Sequence, residues 1–158
     1  MIELNKKTQQ DFLNREWVQR LLAAGVDMSD AKYIIGKDKL SKYDPEPDLT
    51  DYVWYKESTA EVYDECPTYT VSELLYKLHE YIYPTIDGKV YSGGLCLWKD
   101  APFYIAQYRL SDEHGKHNEK LFFCDYEYPI ESLAALLVQC HMYDIGTPRK
   151  DVGDISSK

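Results

Sequence analysis

His114 and His117 come nearest, by type and spacing, to a metal site. Two imidazoles three positions apart can share one ion, but a site needs a third and a fourth ligand. Only Glu113 and Glu119 stand close by, and the polar run 111–119 with Gly115 reads as a solvated hairpin tip. Cys140 and His141 are adjacent. On a helix their side chains diverge by about 100°, which rules out a thiolate–imidazolium pair. Cys66, Cys96, Cys124 and Cys140 are widely spaced and form no C-x-x-C pair. They read as reduced, core-filling thiols. Ser92-Gly93-Gly94 is glycine-rich but matches neither G-x-x-x-x-G-K-[ST] nor G-x-G-x-x-G. No G-x-S-x-G elbow occurs. These residues point to no catalytic, metal or cofactor site.

Two other groups carry recognition chemistry. The first is acidic. The chain has 158 residues and a formal net charge of −9. Residues 44–65 hold eight acids and one base. Asp44, Glu46 and Asp48 alternate with Pro45 and Pro47, and Asp51 follows. Alternation with proline reads as an extended, solvated segment and not as an EF-hand loop. Such a patch fits a basic partner. The second group is aromatic. Fifteen tyrosines are present, and Tyr52, Tyr55, Tyr104 and Tyr108 with Trp54 can cover one sheet face. Tyrosine suits interfaces because it joins large area to a polar tip.

The elements that position these groups follow from periodicity. Thr8 can cap a first helix carrying Leu13, Trp17, Leu21 and Ala24, stopped by Gly25. Ser29 can cap a short helical turn to Ile35. Residues 37–50 read as linker, Tyr52 to Tyr55 as a strand, and 57–67 as loop. Thr70-x-x-Glu73 is a capping box, with Tyr69 and Leu74 as a hydrophobic staple. Val71, Leu74, Leu75, Leu78 and Ile82 make one helical stripe that Pro84 ends. Three strands follow, 89–98, 103–110 and 121–126. Gly93-Gly94 in the first marks a bulge or a close backbone approach. The last helix begins at Pro129 and is apolar on nearly every side, so it is expected to be deeply buried.

The expected fold is α+β. A three- to four-stranded antiparallel sheet carries helices on one face, in the core order helix-strand-strand-strand-helix. Residues 1–146 form one domain, with 1–66 as an N-terminal addition to a 68–146 core and 147–158 as a flexible tail.

Leu21 to Ala31 (LLAAGVDMSDA), Cys66 to Leu75 (CPTYTVSELL) and the apolar helix from Pro129 to Ile145 resemble small proteins of gut Bacteroidota genomes and their phages. The resemblance covers most of the chain and implies a prophage or mobile-element context. It brings no activity and no catalytic residues. The element order is also similar to that of double-stranded RNA-binding domains. Those place basic residues where this chain has Glu127, Tyr128, Pro129 and Glu131.

The bulk figures narrow the partners. Eighteen basic residues stand against 27 acidic ones, with no basic run longer than two, which argues against phosphate-backbone binding. No stretch reaches the roughly 20 apolar residues of a membrane span, and the N-terminus has no signal-peptide core. The sequence therefore leads to a cytoplasmic, non-enzymatic protein-interaction module without cofactor. Its partner is another protein or a second copy. The alternative is an acidic mimic of nucleic acid that inhibits a basic enzyme.

Overall fold

A computed structural model describes residues 1–38, 50–118 and 121–143. The chain is α+β, and the described residues form three helices and two antiparallel sheets. β1 (Ile2–Glu3), β2 (Tyr33–Asp38), β3 (Tyr52–Tyr55) and β4 (Val62–Thr68) form the first sheet in the order β1-β3-β2-β4. The helices are α1 (Arg15–Ala23), α2 (Val71–Lys77) and α3 (Pro129–Met142). The second sheet is built between α2 and α3. It comprises β5 (Tyr81–Ile82), β6 (Thr85–Ile86), β7 (Lys89–Asp100), β8 (Phe103–Tyr108), β9 (Leu110–Asp112), β10 (His117–Asn118) and β11 (Phe123–Tyr126). Its main path is β10-β9-β7-β8-β11, and β5 and β6 also pair with β7. Seven strand segments thus lie where the sequence reads three.

Local chemistry explains where elements start and stop. Asn14, and not Thr8, caps α1 by accepting from the Trp17 amide at 3.0 Å. Thr8 instead closes a turn, accepting from the Asn5 amide at 3.0 Å. The capping box of α2 forms as read: Glu73 N–H donates to Thr70 Oγ1 at 3.3 Å, and Thr70 N–H donates to Glu73 Oε1 at 3.1 Å. The helix stops early, because Leu78 is extended at ψ 135°. Ile82 is buried as a β5 residue paired with Gly93, and Tyr81 pairs with Gly94. Its helical spacing from Leu78 is incidental. The short helix expected to run to Ile35 is strand β2. The β-branched pair Ile34-Ile35 sits there between β3 and β4, and so short a helix would close too few bonds to offset nucleation. The loop expected at 57–67 holds most of β4.

One hydrophobic cluster runs from Phe12 to Cys140 and draws on both sheets. α3 stands at its centre, touching α1, α2, β8 and β11. Ile130, Leu133, Leu136 and Leu137 are fully buried. Each contributes about 1.5–3 kcal/mol of transfer free energy. The sole formal charge of that helix, Glu131, accepts from Trp17 Nε1 at 2.8 Å and ties α3 to α1. Ser132, also fully buried, splices the sheet to the helix. Its Oγ accepts from the Tyr126 amide at 3.0 Å and donates to the Tyr104 carbonyl at 2.7 Å. No described helix is long and apolar enough to cross a membrane.

Buried polar groups are paired where α2 meets the loop before β2. Lys77 Nζ lies 3.0 Å from Asp30 Oδ2 and donates to the Asp27 carbonyl at 3.1 Å. Tyr69 donates to Asp30 and stays protonated, because burial and that carboxylate both raise its pKa. Burial works against the charge of Asp30, but the hydrogen bonds from Tyr69 and Lys77 prevail and lower its pKa.

Candidate functional site

The residues marked for recognition by the sequence do not share one surface. Asp44, Glu46 and Asp48 lie outside the described residues. Asp51 is committed to neighbours: Arg15 Nε donates to both of its oxygens at 2.9 Å, and Lys37 Nζ donates to Oδ1 at 2.9 Å. Trp54 is buried, and so is Tyr108, whose hydroxyl donates to the His79 carbonyl. Strand alternation accounts for Tyr108: it shares the inner face of β8 with Ala106, beneath α3. Tyr104 is half-buried, with Lys99 Nζ 5.5 Å from its ring. Only Tyr55 is well exposed, at 66%, and it belongs to the other sheet. The expectation of one aromatic face is corrected accordingly.

The four thiols are free, with Cys124 and Cys140 buried and Cys66 and Cys96 half-buried. Burial pushes Cys124 and Cys140 up to about 12 each, with Asp125 adding to the first and Cys124 to the second. Burial also raises Cys66. A thiol so raised is protonated at neutral pH and is a poor nucleophile. Native protein is therefore expected to label at Cys124 and Cys140 at least about 100-fold more slowly than protein in denaturant. Mass-spectrometric mapping of alkylation checks this; equal rates in both conditions would show that the pocket around these thiols opens readily. His114 is exposed beside Glu113 at 3.4 Å. His117 Nδ1 instead meets Ser111 Oγ at 3.0 Å. Among the described residues no three His, Cys, Asp or Glu side chains converge.

Two of the concave features lie against the second sheet and bear on recognition. The first is a trough of about 540 Å³ beneath the free edge of β11. Trp17, Ala23 and Ala24 from the α1 end wall it on one side, and Ala135, Val138 and Met142 from α3 on the other. Arg20 and Asp125 supply one charge of each sign. β11 ends the sheet, and among the described residues no strand pairs with its far side. Antiparallel ladders alternate their bonded residues. Phe122 bonds to Tyr108, and Ser132 bridges Tyr126 to Tyr104. Phe122, Cys124 and Tyr126 thus face β8, whereas the backbone groups of Phe123 and Asp125 face the trough.

The second feature is a cleft of about 520 Å³ on the outer face of the same sheet. Trp98, Gln107, Arg109, His117 and Phe123 line it. Register places them on one face: Phe123 opposes Gln107, and His117 opposes Ser111. Sequence reasoning missed this cleft because its residues come from five strands and the turn at Arg109, and none has a motif spacing. The Gly93-Gly94 pair was its one sign. A Cβ on Gly93 would lie 2.2 Å from the Arg109 carbonyl, so this glycine lets the chain pass at the point where Arg109 turns outward.

Comparison with family models, with curated proteins and with solved structures finds no match for this chain.

Proposed function

We propose that the protein is a non-enzymatic interaction module that associates with a second copy of itself through the β11 edge. The observation that supports this reading is a strand edge, unpaired among the described residues, lying over an apolar trough. Exposed edges add strands readily, with backbone bonds giving affinity and side-chain pockets giving register. A two-fold axis brings two such edges together antiparallel. Phe123 of one copy then bonds to Asp125 of the other, and the two Cys124 residues sit near the axis. Arg20 and Asp125 at the same trough favour this partner, because a two-fold copy presents the opposite charge to each.

The acidic-mimic reading has less support, since Arg15 and Lys37 neutralise Asp51.

Sedimentation velocity over a concentration series tests the proposal. The expected result is a reversible dimer. Asp125→Pro is expected to be monomeric, because it removes an amide that faces away from β8 and leaves the internal ladder intact. Asp125→Lys, which sets two cations at each trough, is expected to weaken the dimer at least about tenfold and to do so less at high salt. A monomeric wild type, or a folded Asp125→Lys protein that dimerises as well as wild type, overturns it.

A further inference from the structure

We propose that the outer-face cleft binds a small ligand carrying both a planar aromatic ring and an anionic group, carboxylate or phosphate. The volume of about 520 Å³ falls within the range of small-molecule sites. What distinguishes it from a surface dent is the way one side chain organises two others. Gln107 is only 9% exposed. With its amide assigned so that the oxygen faces the two donors beside it, Gln107 accepts from Arg109 Nε at 2.9 Å and from Trp98 Nε1 at 3.2 Å. A single buried amide thus fixes a guanidinium plane and an indole plane beside the same space. Pre-organised groups of this kind bind with less loss of side-chain freedom.

The charge in the cleft sets the ligand's sign. Among the described residues no carboxylate pairs with Arg109, in a chain of net charge −9. With Nε turned to Gln107, its two terminal nitrogens are left to grip two oxygens of a carboxylate or phosphate. Ser111 holds His117 Nδ1, so the Nε2 side of that ring is left for a ligand at the same rim. Asp125 lies on the same face but two residues further along β11, and it does not line the cleft. The aromatic walls set the ligand's shape. Trp98 is 38% exposed and Phe123 is half-buried, so both offer ring surface to a flat partner.

Calorimetric titration of the full chain tests the two requirements separately. The probes with both features are the four nucleoside monophosphates and indole-3-acetate. Inorganic phosphate, acetate and adenosine carry one feature each. The expected result is that at least one two-feature probe binds at least about tenfold more tightly than every one-feature probe. Preference for the nucleotides or for the indole acid assigns the anion as phosphate or carboxylate. Arg109→Gln and Trp98→Ala should each weaken that binding at least about tenfold. Both residues are exposed, and circular dichroism checks that each variant folds; Trp98→Phe replaces an unfolded Trp98→Ala. Trp98 fluorescence gives a second readout, since Trp17 and Trp54 are buried. The proposal is overturned if no two-feature probe binds more tightly than phosphate, acetate and adenosine, or if folded Arg109→Gln binds as wild type does.

Discussion

Replacing Gly93 with alanine is expected to cost about 3 kcal/mol or more, a large share of the roughly 5–15 kcal/mol that holds a domain together. A Cβ there would sit 2.2 Å from the Arg109 carbonyl oxygen, 2.6 Å from its carbon and 3.1 Å from Leu110 Cα. All three are backbone atoms, so no side chain can swing aside. Relief requires β7 to part from the β8–β9 junction, with loss of the Arg109 N–H bond to the Gly94 carbonyl. Gly94 is the internal control. A Cβ on it meets the Tyr81 ring at 3.4 Å and the Glu80 carbonyl oxygen at 3.8 Å, both ordinary contacts. Gly94→Ala is therefore expected to change stability by less than about 1 kcal/mol. Urea denaturation of both variants decides the matter; equal effects would refute the account of Gly93 as a crossing point. The same variant bears on the cleft. Any Gly93→Ala protein that folds has displaced Arg109, so it is expected to lose aromatic-anion binding while Gly94→Ala keeps it.

What the sequence made legible follows from how far each signal reaches along the chain. The capping box at Thr70 and Glu73 is local chemistry, complete within four residues, and it forms as read. α3 was legible from its apolar circumference and from Pro129 at its start. Gly93-Gly94 was readable as a close approach, but its partner Arg109 was not, because the contact spans two strands. Ile82 shows how periodicity misleads. Apolar spacing records burial, and a strand residue can be buried at a helical interval. The tyrosines failed as a guide for a related reason. Tyr108 and Tyr55 have the same chemistry, and only strand parity and the cover of α3 send one inward and leave the other exposed. The acidic stretch misled at Asp51, whose partners Arg15 and Lys37 arrive from α1 and β2. Composition counts charges but not their neighbours.

Ser132→Ala is expected to destabilise the protein by about 2–4 kcal/mol, although it removes a single oxygen from a helix that alanine suits better than serine. Helix propensity alone predicts a small gain, so the sign of the effect separates the two accounts. The hydroxyl stands beside the last pair of the β8–β11 ladder, where Tyr126 lies opposite Tyr104. It takes the Tyr126 amide and gives to the Tyr104 carbonyl, and no water can replace it at zero exposure. Its loss takes one hydrogen-bond partner from each of these two half-buried backbone groups, at about 1–2 kcal/mol apiece. Ser72→Ala, on the exposed side of α2, is the matched control and is expected to stay within about 0.5 kcal/mol of wild type. Hydrogen exchange supplies a local reading: the Tyr126 amide should exchange faster in Ser132→Ala, ahead of amides in the middle of α3. The effect also reaches the proposed interface. Ser132 anchors the C-terminal end of β11, and a strand of four residues offers a usable edge only while both ends are held. The variant is therefore expected to dimerise more weakly than its loss of stability alone accounts for, when measured under conditions where it is fully folded. Unchanged stability in Ser132→Ala would mean that the β8–β11 ladder holds its end without the hydroxyl, and the splice would then have no role in holding the edge.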